Sequence, residues 1–233
     1  MFWSVVAVIL LLFSGMAIGP LSGTPEQMKP LQAGYDTQLI ALFLHRYAAD
    51  HHGEYPPGKN STEVFQALLD GGYNYQLDIV YRPGSPGKTA PTYDQGQKLK
   101  PENVCYDITV PVGENAPPGL PLVFMTGYRI TYAPGAAAVP LSDEIRSRNP
   151  SMAVFYNDGS FAFFRNAWWW FGKGEYRQTT GGFQNVNYTL DDGSGQRSGR
   201  LHSDGTITNF IPSTFDAAGV KYQQLTPDGS LSP

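Results

Sequence analysis

Residues 31–56 read LQAGYDTQLIALFLHRYAADHHGEYP. Leu31, Tyr35, Leu39, Leu42, Arg46 and Ala49 recur every three or four positions. That interval returns a side chain to the same face of an α-helix. Ile40, Phe43 and Tyr47 broaden the apolar stripe. Upstream, Thr24 can act as an N-cap, Pro25 suits the first helical position and Gln27 completes a Thr-x-x-Gln capping box. Pro30 falls early enough to be tolerated or to kink the helix. Downstream, Gly53 is the natural C′ residue, and Tyr55-Pro56-Pro57 cannot continue a helix. The spacing therefore predicts a helix over 25–51. Leu31, Tyr35, Leu39 and Leu42 are expected to lie against a sheet, so Leu42→Asp is expected to destabilise the domain severely.

Before this helix, residues 1–18 (MFWSVVAVILLLFSGMAI) carry no charge, and no acidic or basic residue precedes Glu26. Eighteen helical residues cover about 27 Å, close to the ~30 Å hydrocarbon core of a bilayer. The segment reads as an uncleaved signal anchor or as a removable signal peptide with a small-x-small site at Gly15-Met16-Ala17. Gly19-Pro20-Leu21-Ser22-Gly23 breaks the span. The chain thus divides into 1–23, a transmembrane anchor or signal peptide, and 24–233, an exported domain.

After the long helix, Asn60 and Glu63 cap a short second helix with Val64, Phe65, Leu68 and Leu69 on its buried face and Gly71-Gly72 at its end. The period then changes. Ile79–Tyr81, Val104–Val110, Leu122–Met125 and Tyr128–Tyr132 read as strands, separated by Pro- and Gly-rich loops that include 134–140. Met152–Phe164 places Asp158-Gly159 between two β-rich runs, the signature of a hairpin closed by a two-residue type I′ turn. Residues 172–206 form a Gly- and polar-rich excursion, either long hairpins or a mobile segment. Leu201–Ile207 suggests a further hairpin, and Leu225–Ser230 a turn.

Composition bounds the chemistry. Charged residues make up 15% of the chain, against roughly 25% in an average domain. The net charge of −4 argues against a general nucleic-acid binder. The single cysteine, Cys105, excludes an internal disulfide and a Cys-cluster zinc site, and its apolar neighbours mark it as a small buried side chain. His45 and His52 are seven apart, so one helical face can hold both, but no His-x-x-x-His or Glu-x-x-His spacing accompanies them. His51 and His52 suit a helix end. Asp-Gly pairs at Asp70, Asp158, Asp192, Asp204 and Asp228 lack the acidic ladder of a calcium loop and read as turns. No nucleophile elbow, Walker loop or dinucleotide fingerprint occurs. These observations point to no catalytic residue, metal or cofactor. Trp168, Trp169, Trp170 and Phe171 form a possible interaction surface: alternate rings of a strand face opposite sides, so one core cannot hold them all.

The layout of apolar helix, amphipathic continuation and antiparallel sheet resembles that of type IV pilin-like proteins. The likeness is sharpest from Gln38 to Pro56, where Tyr47-Ala48-Ala49-Asp50 leads into Gly53-Glu54-Tyr55-Pro56. This resembles the helix end of type II secretion pseudopilins and their relatives, in which Tyr-Ala-x-Asp runs into Gly-x-Tyr/Phe-Pro. Leu122 to Pro140 and Met152 to Phe163 resemble the strand region and late Asp-Gly hairpin of the same group. The Gly-Phe-Thr-Leu-x-Glu prepilin peptidase motif of that group does not occur in these residues.

The resemblance implies a pilin-like α+β fold: a long N-terminal helix, membrane segment plus amphipathic extension, packed on an antiparallel β-sheet. It implies a non-enzymatic, membrane-anchored envelope protein with a structural or docking role. The helix would sit in the inner membrane, the domain would be exported, and the partners would be proteins of a pilus-like or secretion assembly. The alternative is a domain secreted after signal cleavage that binds glycan or protein through the aromatic run. A hydrolase site assembled only in three dimensions is a third possibility.

Overall fold

A computed structural model describes residues 25–74, 76–92, 98–112, 116–147, 152–165, 177–180 and 204–230. Residues 1–18 and the Trp168–Phe171 run lie outside these. Among the described residues, no helix is long and apolar enough to cross a membrane.

The fold is α+β. Helix α1 spans Pro25–Asp50, and α2 Ser61–Asp70. The strands are β1 (Tyr106–Val110), β2 (Pro121–Met125), β3 (Tyr128–Ile130), β4 (Ala138–Pro140), β5 (Met152–Tyr156), β6 (Phe161–Arg165), β7 (Arg177–Thr180) and β8 (Gln223–Leu225), with a short α3 at Asp143–Ser147. Six strands form one antiparallel sheet in the order β7-β6-β5-β2-β1-β8, and β3 pairs with β4 in a small second sheet.

The sheet is covered on both faces, which is why every residue of β5 is buried. Helix α1 lies over β5, β2 and β6. At its N-terminal part Ala33 packs on Ala153 of β5 beside Met125. The opposite face carries the β3–β4 sheet and the chain from 204 onward. There Phe210 meets Phe124 edge to face at 5.8 Å, and its carbonyl accepts from the Tyr156 hydroxyl at 3.1 Å. Gln224 ties β8 to β3: its amide oxygen accepts from Ile130 N at 3.1 Å. Its Nε2 donates to Tyr128 O at 2.6 Å and to Asp107 Oδ2 at 2.7 Å.

Local chemistry explains the element ends. Asn60 accepts from Glu63 N at 2.8 Å, and Glu63 Oε2 accepts in return from Lys59 N at 2.8 Å, so α2 starts as expected. It ends in a Schellman motif. Tyr73 N reaches Leu68 O, Gly72 N reaches Leu69 O, and Gly72 is left-handed. Helix α1 ends one residue earlier than expected. Gly53 N reaches Ala48 O at 2.8 Å, which makes His52, with φ of 57°, the left-handed C′ residue. His45 and His52 therefore do not share a helical face.

Other expectations are corrected by the structure. Ile79-Val80-Tyr81 is not a strand; Leu77–Val80 is a 3-10 turn whose Val80 carbonyl accepts from Cys105 N. The 134–140 loop contains β4, and a short β8 precedes the expected turn at 226–230. The β5–β6 hairpin is present, but three residues close it. Gly159 N bonds Tyr156 O, Tyr156 N bonds Ser160 O, and Gly159 but not Asp158 has positive φ. This is a type I turn with a G1 bulge. Anchoring explains the preference, because Asn157 N and Asp158 N donate to Leu120 O and Pro118 O of the neighbouring loop. Within the 172–206 excursion, β7 pairs with β6 from Ala162↔Thr180 to Arg165↔Arg177. Of the suggested 201–207 hairpin, the described part is a turn at Asp204-Gly205 and a single bridge from Ile207 to Ala138.

Candidate functional site on the outward face of the long helix

The buried face of α1 is not the one that large side chains suggest. Ala33, Thr37, Ile40, Ala41, Leu44 and Ala48 are buried. Tyr35, Leu39 and Leu42 point outward, with 50%, 39% and 57% of their surface exposed. The small residues decide the matter. Alanines at 33, 41 and 48 let the helix axis lie close to the sheet, and Thr37 spends its hydroxyl on Gly34 O at 2.8 Å. The Tyr35–Leu39–Leu42 spacing is a second helical stripe, about 10 Å long at 1.5 Å per residue, with Phe43 half-buried at its edge. It displays three large apolar side chains on the helix that follows the uncharged 1–18 segment.

A polar layer fixes the helix beneath this stripe. Asp36 accepts from the Tyr106 hydroxyl at 3.1 Å. Burial raises the Asp36 carboxyl to about 6, opposed by that hydrogen bond and by the nearby Arg82 cation. Arg82 is itself half-buried, and its guanidinium donates to Met125 Sδ at 3.0 Å. Burial pushes the Tyr106 hydroxyl far up, so it remains a donor. Cys105 is buried where Arg82 N donates to its Sγ at 3.2 Å, and burial raises the thiol, which disfavours a nucleophilic thiolate.

At the far end of α1, the His51 ring stacks on Tyr47 at 3.8 Å and its Nδ1 donates to Tyr47 O at 2.8 Å. Tyr73 leans on Tyr47 and donates its hydroxyl to Asp50 Oδ2 at 3.0 Å. His51 thus sits between Tyr47 of α1 and Tyr73, just beyond α2. Three of the Asp-Gly pairs act as turns: Asp158, Asp204 and Asp228 each accept through Oδ1 from the backbone N–H two residues on, whereas Asp70 is the last residue of α2 and Asp192 lies outside the described residues.

Trp168, Trp169, Trp170 and Phe171 lie outside the described residues. What the sequence reading missed is that the apolar positions of α1 form two stripes. The alternation of Ala33, Thr37, Ala41 and Ala48 with larger residues was the available signal. No protein-family model, curated protein or solved structure matches this chain.

Proposed function

We propose that this chain is a membrane-anchored, pseudopilin-like envelope protein with a structural or docking role and no catalytic step of its own. The observation that carries the reading is the outward stripe of Tyr35, Leu39 and Leu42 on a helix already satisfied against its own sheet. A monomer gains nothing by holding large apolar groups in water, and contiguous exposed apolar surface marks contact with another molecule. The 1–18 segment, uncharged and long enough to span a bilayer, precedes that helix and supports placing both in one membrane-associated rod. The resemblance of Gln38–Pro56 and Met152–Phe163 to pseudopilins supports the same reading, as does a long helix lying on an antiparallel sheet.

The test is proximity between copies in native membranes. Full-length chains carrying Leu39→Cys or Leu42→Cys are treated with a short bismaleimide. The native Cys105 is buried, so background labelling is low. Covalent dimers and higher ladders are expected from both positions and not from Val220→Cys, which is exposed on the other side of the sheet. Monomer alone from both helix positions would reject the assembly role. Carbonate extraction with intact-mass analysis of the same membranes checks the anchor separately.

A further inference from the structure

The N-terminal part of α1 and the close of the β6–β7 pair meet at one end of the sheet. Ala33 packs on Ala153 of β5 beside Met125, the last residue of β2. Asp36 accepts from Tyr106, the first residue of β1 and the register partner of Met125. Ile40, Ala41 and Leu44, further along α1, enter the main core. The helix therefore passes the end of the sheet at Ala33, and from there back to Pro25 it covers about 12 Å at 1.5 Å per residue. On the strand side, Ala153 is the register partner of Phe163 in β6. Two positions on, β6 ends at Arg165, and β7 begins at Arg177.

Arg165 and Arg177 are register partners on the outermost rung of that pair. Like charges directly opposite one another in a sheet are destabilising, and an anion set against them removes the cost. Helix α1 brings no surplus acid to this end. Glu26 and Lys29 share its first turns, and Asp36 is engaged by the Tyr106 hydroxyl with the Arg82 cation nearby. In the sequence, the stretch that joins the two arginines reads NAWWWFGKGEY. Cations thus bracket tryptophans, the side chains enriched where a membrane meets water. The tryptophan run itself lies outside the described residues.

We propose that this end of the sheet is a membrane-docking surface, with the anionic headgroups of phospholipids as the ligand of Arg165 and Arg177. Residues 19–24 alone separate the uncharged 1–18 segment from α1, so a bilayer that holds that segment faces this end of the domain. Phosphate groups beside the two arginines relieve the like-charged rung. Each basic side chain within a Debye length of an anionic leaflet adds its own attraction. The proposal rests on the membrane-anchored reading of residues 1–18 and goes beyond it, because an anchor by itself leaves the domain free to stand off from the bilayer.

Full-length protein is reconstituted into phosphatidylcholine vesicles with and without phosphatidylglycerol. Trp3→Phe leaves Trp168, Trp169 and Trp170 as the only tryptophans. Their quenching by phosphatidylcholine brominated on its acyl chains reports contact with the bilayer. A companion chain carrying Trp168→Phe, Trp169→Phe and Trp170→Phe keeps Trp3 as the reporter of the anchor. Quenching of the three is expected in the phosphatidylglycerol vesicles and is expected to fall at high salt. Arg165→Gln and Arg177→Gln should each lower the ratio of docked to detached domain about fivefold. The double variant Arg165→Lys, Arg177→Lys should keep it, and a cooperative thermal melt confirms that each variant is folded. If Trp3 is quenched and the three are not, the docking surface is overturned and the anchor stands. Quenching of the three that ignores phosphatidylglycerol, salt and both glutamine variants also overturns it. An unquenched Trp3 overturns the anchor reading, and the docking surface with it.

Discussion

Two carboxyls, Asp36 on α1 and Asp107 on β1, give the molecule a pH dependence that runs against the usual acid lability. Burial is the leading cause in both, raising Asp36 to about 6 and Asp107 to about 7. A carboxyl whose folded pKa exceeds its unfolded value binds protons more tightly in the native state. Its contribution is complete below the ordinary carboxylate range and is lost as pH rises through the folded value. The melting temperature is therefore expected to be higher near pH 5 than near pH 8. For fully buried Asp107 the loss is on the order of 4 kcal/mol at most. Asp107→Asn should flatten most of the slope in a pH series of thermal melts. A melting temperature that climbs steadily from pH 5 to about pH 8 would contradict this. A second residue-scale effect sits at His52, which holds φ of 57°. Left-handed backbone costs an L-residue about 1 kcal/mol, so His52→Gly should stabilise the protein by up to about that amount in denaturant unfolding. The Gly53 stop was legible because glycine advertises a left-handed residue. That His52 takes this conformation was not, since a histidine carries no such signature.

At the scale of elements, α1 separates burial from size. Leu44 is fully buried, so Leu44→Ala should cost about 2–5 kcal/mol. Leu42 is more than half exposed, so Leu42→Asp should change stability by less than about 1 kcal/mol, against the sequence expectation, while reducing copy-to-copy cross-linking from position 39. Paired unfolding curves of the two variants decide which face carries the fold. Asn60→Ala should remove about 0.5–2 kcal/mol, because Glu63 N loses its acceptor. Helices α1 and α2 and the β5–β6 hairpin were legible because caps, glycines and periodicity are local signals. The 3-10 turn at Leu77–Val80 was not, because a short run of β-branched residues reads as a strand until its neighbours are known. The order of the strands was equally hidden. Residues 223–225 pair with β1, more than a hundred positions earlier, and no local pattern encodes that.

For the whole molecule, the two faces of the sheet are covered by different parts of the chain. One is sealed by a helix that still exposes Tyr35, Leu39 and Leu42. The other is sealed by the chain from 204 onward. In the sequence the buried Asp107 carboxyl left only a faint mark: an aspartate inside the apolar run Val104–Val110. Its meaning depends on Gln224, Lys88 and Thr126, which arrive from three distant loops or strands. Removing residues 223–233 takes away β8, the Gln224 clamp and the acceptors for Ser61 and Thr62. Such a truncated chain is expected to lose its cooperative thermal transition by circular dichroism. A melt like that of the intact chain would show that β8 is dispensable.

The bonds from Ser61 and Thr62 to Thr226 and Pro227 are a buckle fastened across 165 positions of chain. A ribosome delivering this polypeptide has long since released the helical rod when the other half of the buckle emerges. Until then the sheet has an open margin beside β1. Among the described strands, the one that closes this margin is thus the last to be synthesised, and the sheet is complete only when β8 has joined β1.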